Sequence, residues 1–356
     1  MTRWKLVPVG GDAWGEALER VPHDTYHLPG YARLDAALWH GEAVAFVYED
    51  TRGCFLLPLV LRTIPGSARL DATAPYGYGG PVSSSQDPAF WTDAVAALAK
   101  TMREQNVVCL RARIHPLLEC PAFQLDEHSA LVEHGLTVSI DLHQPDVDIV
   151  AQFRQNHRRE IRRSRGAGSH VLVDEWSYLG AFVDAYYETL DRLGADADHY
   201  FPGRYFDQLR ELLGSHCHLM VVVRDSEFLG GGIILEAGGI VQYHLGATRN
   251  GARREQPTKL LFDDTWRWAK ARGNRDFHLG GGLDAESGST LFHFKGGFSK
   301  RRHTVRSLRL VVDPIAYRLL SRGPRQWSTE ALTGFFPAYR RKELVGSDSV
   351  ADRGGS

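Results

Sequence analysis

Residues 291–302, LFHFKGGFSKRR, set one lysine among three phenylalanines, follow it with two glycines and close on three cations. An ammonium drawn partly out of water by Phe292, Phe294 and Phe298 is a strong donor to a developing oxyanion, because a dry site strengthens its field. The chemistry that fits Lys295 is stabilisation of an oxyanion formed as a nucleophile adds to a carbonyl, with the two substrates held in alignment. A plainer reading stands beside it: a helix that buries Leu291, Phe294 and Phe298, ends at Gly296–Gly297 and lets Lys295 snorkel beside its last carbonyls.

Other segments offer partners for that chemistry. In HLGGGLD, residues 278–284, Gly280, Gly281 and Gly282 leave a strand and let backbone come close to a ligand, so the loop is expected to line the substrate, with Asp284 as an amine contact. In YHLG, residues 243–246, strand alternation sets Tyr243 and Leu245 on one face and His244 on the other. Tyr243 is expected to meet substrate, and His244 is the candidate general base, against the commoner reading of a satisfied structural histidine. Arg158, Arg162 and Arg165 recur at i, i+4 and i+7 and form one helical stripe suited to phosphate, while Arg159 and Arg163 lie off it. YGYGG, residues 76–80, carries Tyr76 and Tyr78 on a glycine-rich loop, either for binding an acceptor or for packing the loop itself.

The net charge is −1, yet residues 151–165 hold six arginines against one glutamate and residues 295–309 hold six Lys/Arg with no acid. Segregated cations on a neutral chain point to a local anionic ligand rather than to general polyanion binding. No G-x-S-x-G elbow and no cysteine–histidine nucleophile context is present, so no covalent intermediate is expected. HDTYH (23–27) and HCH (216–218) lack the remaining ligands and spacing of a zinc motif, and no metal is expected. The four cysteines (54, 109, 120 and 217) form no CxxC pair and read as reduced core thiols. No apolar run approaches a membrane span and the first fifteen residues lack a signal-like apolar segment, so a cytoplasmic protein is expected.

These residues need elements to position them. DVDIVAQFRQNHRREIRRS reads as a helix opening at Asp146, with Val150, Phe153, His157 and Ile161 on its buried face, and SYLGAFVDAYYETLDRL continues in helix. The period then changes: CHLMVVVRD, FLGGGIILEA and IVQYHLGATR form a three-stranded meander, followed by the proline-started, glycine-ended helix PTKLLFDDTWRWAKARG and the strand RDFHLG. The first half repeats the order: helices in GDAWGEALERV and PGYARLDAALWH, strands EAVAFVYED, CFLLPLVLRTI and ARLDATAP, the helix DPAFWTDAVAALAKTMREQ and the strand NVVCLRARI. An α+β unit used twice gives expected domains at 1–145 and 146–345, with a disordered tail over 346–356.

Helix, meander, helix and strand in this order resemble the GNAT (acyl-CoA N-acyltransferase) fold, so two tandem GNAT-like domains are expected, each a mixed, mostly antiparallel sheet flanked by helices. NHRREIRRSRGAG, PTKLLFDDTWRWAKARGNRDFHLGGG, LFHFKGGFSK and APYGYGGP, taken together and in order, resemble the Fem-type (FemABX) aminoacyltransferases. The resemblance implies transfer of an aminoacyl group from aminoacyl-tRNA to the amine of a small molecule, peptide or nucleotide-linked peptidoglycan precursor, with the tRNA as co-substrate and no other cofactor. It implies that Phe294 and Lys295 stand where the family has its Phe-Lys pair. With a tRNA as co-substrate, the cation cluster Lys300, Arg301, Arg302, Arg306 and Arg309 is expected to contact its acceptor stem. The alternative is an acyl-CoA-dependent N-acyltransferase, but GATRNGARREQPTKLL lacks the spacing of the Gln/Arg-x-x-Gly-x-Gly/Ala pyrophosphate loop. A catalytically silent binder of nucleotides or RNA is a third possibility.

Overall fold

The computed structural model describes residues 2–281, 290–322 and 330–341. Two compact units emerge: the chain up to His134 together with residues from Val305 onward, and Gly135–Thr304. The single division expected near 140–150 is thus two divisions, at 134/135 and 304/305, and the last part of the chain joins the first unit. The expected tail, 346–356, lies outside the described residues.

The first unit begins with β1 (Arg3–Pro8), α1 (Asp12–Leu18), α2 (Pro29–Leu38), β2 (Glu42–Asp50), β3 (Gly53–Thr63), β4 (Leu70–Thr73), β5 (Val82–Ser83), α3 (Pro88–Glu104) and β6 (Val107–Arg113). Strand β7 (Ser129–Asp141) carries the chain into the second unit. That unit holds α4 (Asp146–Gln152), α5 (Gln155–Gly166), β8 (His170–Val173), α6 (Leu179–Leu193), α7 (Gly203–Leu213), β9 (Cys217–Arg224), β10 (Glu227–Ala237), β11 (Ile240–Thr248), α8 (Pro257–Ala271), β12 (Asp276–Gly281) and α9 (Thr290–Lys295). Strand β13 (Arg302–Val311) returns the chain to the first unit, where α10 (Pro314–Ser321) and α11 (Glu330–Thr333) follow.

The repeat read from the sequence is exact in topology. In the first unit β1, β2, β3 and β4 run antiparallel in succession, β4 pairs parallel with β6, and β13 pairs antiparallel with β6. In the second unit β8, β9, β10 and β11 run antiparallel, β11 pairs parallel with β12, and β7 pairs antiparallel with β12. Each unit is therefore a mixed, mostly antiparallel sheet whose last strand comes from outside its own local run.

Alternation along the strands fills both faces. In the first unit Phe55, Leu57, Leu59 and Leu110 bury against Phe90, Trp91 and Leu98 of α3, while Cys54, Leu56 and Val60 bury against Trp14 of α1 and Ala32 and Ala36 of α2. In the second unit Met220, Val222, Ile234 and Val241 pack with Leu261, Phe262 and Trp266 of α8 and Ile161 of α5. The other face meets Phe182 of α6, which a Cβ on Gly231 would touch, whereas one on Gly232 would touch Leu261.

The helix expected from Asp146 onward is broken. Phe153 and Arg154 are extended, splitting α4 from α5, and the Arg154 N–H that continuous helix would have used donates to the Gly297 carbonyl at 2.8 Å. That bond ties the basic helix to the segment carrying Lys295.

Candidate active site around Lys295

Helix α9 is six residues long and ends on Lys295, which is 6% exposed. Leu291, expected on the buried face, is exposed instead. The snorkelling reading is therefore overturned, because the lysine is the most buried side chain of its helix. Its Nζ donates to the Gly281 carbonyl at 2.8 Å and lies 5.8 Å from the centre of the Tyr243 ring. One neutral carbonyl and one ring face do not replace the hydration of an ammonium, and burial pulls its pKa down to about 7. Lys295 thus exchanges its proton near neutrality.

Aromatic rings fix that position. Phe262 of α8 meets Phe294 at 5.9 Å, Phe298 at 5.2 Å and Tyr243 at 4.7 Å between ring centres. Beneath them, His157 of α5 donates Nε2–H to the Phe294 carbonyl at 3.1 Å and packs against the Phe298 ring at 4.5 Å. Burial lowers the His157 pKa to about 4, with the cations Lys259 and Arg154 and the nearby His293 adding to the effect, so the ring is a neutral strut. A Cβ on Gly297 would overlap this imidazole, and one on Gly296 would press on the Arg302 guanidinium. The space beside the glycine pair, expected as a helix end, is taken by His157 and Arg302.

Tyr243 lies across Gly232 and Gly246, where a Cβ on Gly246 would overlap its hydroxyl end. Strict alternation fails beside it: Ile234 pairs with Tyr243 and Ile233 with Leu245, leaving His244 in a bulge. Tyr243 turns to Phe262, whereas His244 turns to α7 and places Nε2 3.1 Å from the Tyr205 hydroxyl. Leu245 does not join the cluster that Tyr243 packs against. Gly280 has φ +74 at a register shift opposite Val138, and a Cβ on Gly281 would meet the Leu136 carbonyl. Both glycines thus serve the strand, and Gly281 serves the site through its carbonyl. Gly282 and Asp284 lie outside the described residues.

The cations separate into free and engaged. Arg158 and Arg162 are exposed on α5 and make no ion pair among the described residues. Arg165, expected on the same stripe, pairs instead with Asp263 at 2.8 Å and with Asp264. Arg159 and Arg163 flank Glu160, at 3.2 and 2.8 Å. Lys300 is exposed, but Arg301 pairs with Asp276 at 2.7 Å and Arg302 donates to the Ser299 and Gly296 carbonyls. Arg306 belongs to the first unit and donates to the Cys120 carbonyl at 3.2 Å. The four residues do not form one free cationic surface.

In the first unit Tyr78 is packed edge-on against Tyr26 and His115, while Tyr76 is exposed. The HDTYH segment holds this loop. Asp24 accepts from His27 at 2.8 Å and from His115 Nε2 at 3.0 Å, and His27 Nε2 donates to the Gly80 carbonyl at 3.0 Å. Among the described residues no group of His, Cys, Asp and Glu is arranged to hold a metal ion, and no helix is long and apolar enough to cross a membrane.

Sequence reasoning missed the parts of the Lys295 site that act across the chain. His157 was read as a core residue of its helix, and nothing local marks it as the support of Phe294. Gly246 had a signal, a glycine three residues after a strand tyrosine, but its meaning depends on the bulge between them.

Fold and site together define the class: a protein of two tandem GNAT-fold domains, the second carrying a buried lysine at the end of a short helix. The acetyltransferase (GNAT) domain family matches residues 151–295, so that domain lies within the second unit. Among solved structures, FemX superposes with a TM-score of 0.67 at 13% identity, covering 88% of this chain and 99% of its own. L-PGS from Bacillus licheniformis superposes at 0.54 and 16% identity, covering 90% and 99%. A conserved protein of unknown function from Bacteroides thetaiotaomicron gives 0.54 at 9% identity, covering 87% and 100%. At these identities the likeness is one of fold. No curated protein matches the sequence.

Proposed function

We propose that the chain is an acyltransferase that moves an aminoacyl group from aminoacyl-tRNA to the amine of a small-molecule, peptide or peptidoglycan-precursor acceptor. The observation that carries this reading is Lys295, a buried ammonium at the end of α9, titrating near neutrality with one carbonyl partner at the end of β12. The acceptor nitrogen adds its lone pair to the ester carbonyl carbon and a C–N bond forms. The carbonyl oxygen becomes an oxyanion, to which the charged Lys295 donates. Collapse breaks the bond to the terminal ribose oxygen, which leaves as a hydroxyl after taking a proton, while the nitrogen gives one up. Arg158 and Arg162, exposed and without ion pairs among the described residues, are assigned to substrate phosphates, and Lys300 to tRNA. The Fem-type motif order and a fold shared with FemX over 99% of that chain support the aminoacyl-tRNA donor.

An acyl-CoA donor is the second reading, favoured by the acetyltransferase domain match. The junction between β11 and α8 argues against it. The N–H groups of Arg249, Asn250, Ala252, Gln256 and Lys259 already donate to Leu229, Glu188, Arg249, Arg253 and Gln256, and Pro257 has none to offer. Amides spent in this way do not cradle a pyrophosphate. The two readings separate when a mixture of labelled aminoacyl-tRNAs and labelled acetyl-CoA is offered with a pool of small-molecule amines. Base-stable, RNase-sensitive transfer supports the first, and transfer from acetyl-CoA that survives RNase supports the second.

A further inference from the structure

In the first unit, two arginines stand side by side without an anion. Arg111 and Arg113 are two residues apart on β6, so both point to one face of the sheet, opposite Leu110 and Ala112, which bury with α3. Directly across the ladder Arg111 faces Arg309 and Arg113 faces Ser307. On the other flank Arg111 pairs with Thr73. Like charges placed opposite each other in a sheet repel, and none of the usual remedies is present. Neither Arg111 nor Arg113 makes a side-chain hydrogen bond or ion pair among the described residues, and the Arg113 Nε is buried with no acceptor. Arg309 keeps its charge beside them while donating to the Leu332 and Gly334 carbonyls, at 2.5 and 2.7 Å.

The neighbourhood is shaped for a ligand rather than merely crowded. The Arg113 guanidinium sits 5.9 Å over the Tyr78 ring, which Tyr26 and His115 hold edge-on. Both arginines are partly buried, with part of each side chain left open to solvent. His134 adds a hydrogen bond to Ser307 at 2.8 Å on the same flank. The field there is strongly positive: burial first, then Arg113, Arg309 and Arg62, pulls Arg111 down to about 10, and burial followed by Arg113, Arg111 and Arg309 pulls His134 down to about 4. Nearby acids do not neutralise it, since Asp71 is already shared by Arg62 and Arg340.

We infer that Arg111 and Arg113, walled by Tyr78, form a binding site for a phosphate or diphosphate group. Two uncompensated guanidiniums match a dianion, whereas a single carboxylate would leave one of them unpaired, and the planar fork suits phosphate oxygens. The site lies in the first unit and Lys295 in the second, and binding here is read without donor or turnover, so its failure and that of the transfer reading are distinguishable.

The test is a titration of the full chain with inorganic pyrophosphate at fixed ionic strength, followed by calorimetry and by thermal unfolding. Pyrophosphate is expected to raise Tm where equal ionic strength of KCl does not. Arg111→Gln and Arg113→Gln are each expected to weaken binding at least tenfold and to raise the ligand-free Tm by relieving repulsion. Arg204→Gln, an exposed arginine of the second unit, is expected to leave binding unchanged, as is Lys295→Met. A pyrophosphate response that persists in the double variant would overturn the site, and so would ligand-free variants less stable than the parent. An equal response to malonate would overturn the phosphate assignment.

Discussion

Lys295 donates its Nζ–H to the Gly281 carbonyl at 2.8 Å, so the last residue of α9 is fastened to the last residue of β12. The ammonium is buried over the Tyr243 ring, with no carboxylate paired to it among the described residues. The proposed transfer reaction gives that costly charge a role, and replacing the lysine tests it.

Replacing Lys295 with methionine should separate stability from function. The folded pKa lies near 7, below the ordinary lysine value of 10.5, so the native state binds fewer protons than the unfolded chain between those values. The penalty is complete below pH 7 and fades as pH rises toward 10.5. Urea unfolding of Lys295→Met is expected to show a gain on the order of 1–3 kcal/mol at pH 6, net of the lost carbonyl bond, shrinking by pH 10. Turnover is expected to fall by roughly 10²–10³-fold, the usual effect of removing an oxyanion donor.

The glycine after the lysine tests the His157 support. Gly297→Ala places a methyl against the imidazole and is expected to cost about 1–3 kcal/mol. In a His157→Ala background the same change should cost clearly less. Additive costs in the double-mutant cycle would show that the two sites do not touch.

Much of the second unit was legible from local pattern. The meander β9–β11, helix α8 and strand β12 follow from alternation, the Gly238–Gly239 turn and a proline start, and the first unit's order follows from the same signals. What was not legible depends on distant partners. The break between α4 and α5 exists because the Arg154 N–H reaches Gly297, and the glycine pair exists because His157 and Arg302 fill the space. Strand β13 was hidden in a run read for its cations, of which Arg301, Arg302 and Arg306 are spent separately on Asp276, Ser299 and Cys120. Of the expected site, Lys295, Phe294, Tyr243 and Gly281 come together, while His244 turns away because a bulge interrupts β11.

Tyr243 and Gly246 offer an independent check of that bulge. Gly246→Ala should destabilise by about 2 kcal/mol or more, since its methyl would overlap the tyrosine. Combining it with Tyr243→Leu should recover part of the loss, read by thermal unfolding. If the second change adds its own full cost instead, the close packing of ring and glycine is wrong.

Asp24 governs the first unit. Burial alone would raise its carboxyl pKa, but His115 and then His27 outweigh that and hold it far below the usual carboxylate range. A depressed carboxyl contributes its full stability above its unfolded value near pH 4 and loses it progressively as pH falls from there through the folded one. Asp24→Asn is expected to cost about 3–5 kcal/mol at pH 7, where a buried charged partner is removed, and less below pH 4. A denaturant series from pH 3 to 7 reads the difference, and an Asp24→Asn cost that does not shrink on acidification would contradict the assignment.

The central claim is that the buried lysine serves aminoacyl transfer. Its most direct measurement offers the purified full chain labelled aminoacyl-tRNAs and an amine pool, and counts base-stable product with and without RNase, for the parent and for Lys295→Met. The account expects RNase-sensitive product from the parent and at least a hundredfold less from a folded Lys295→Met. Product that survives RNase and draws on acetyl-CoA, or undiminished transfer by folded Lys295→Met, would contradict it.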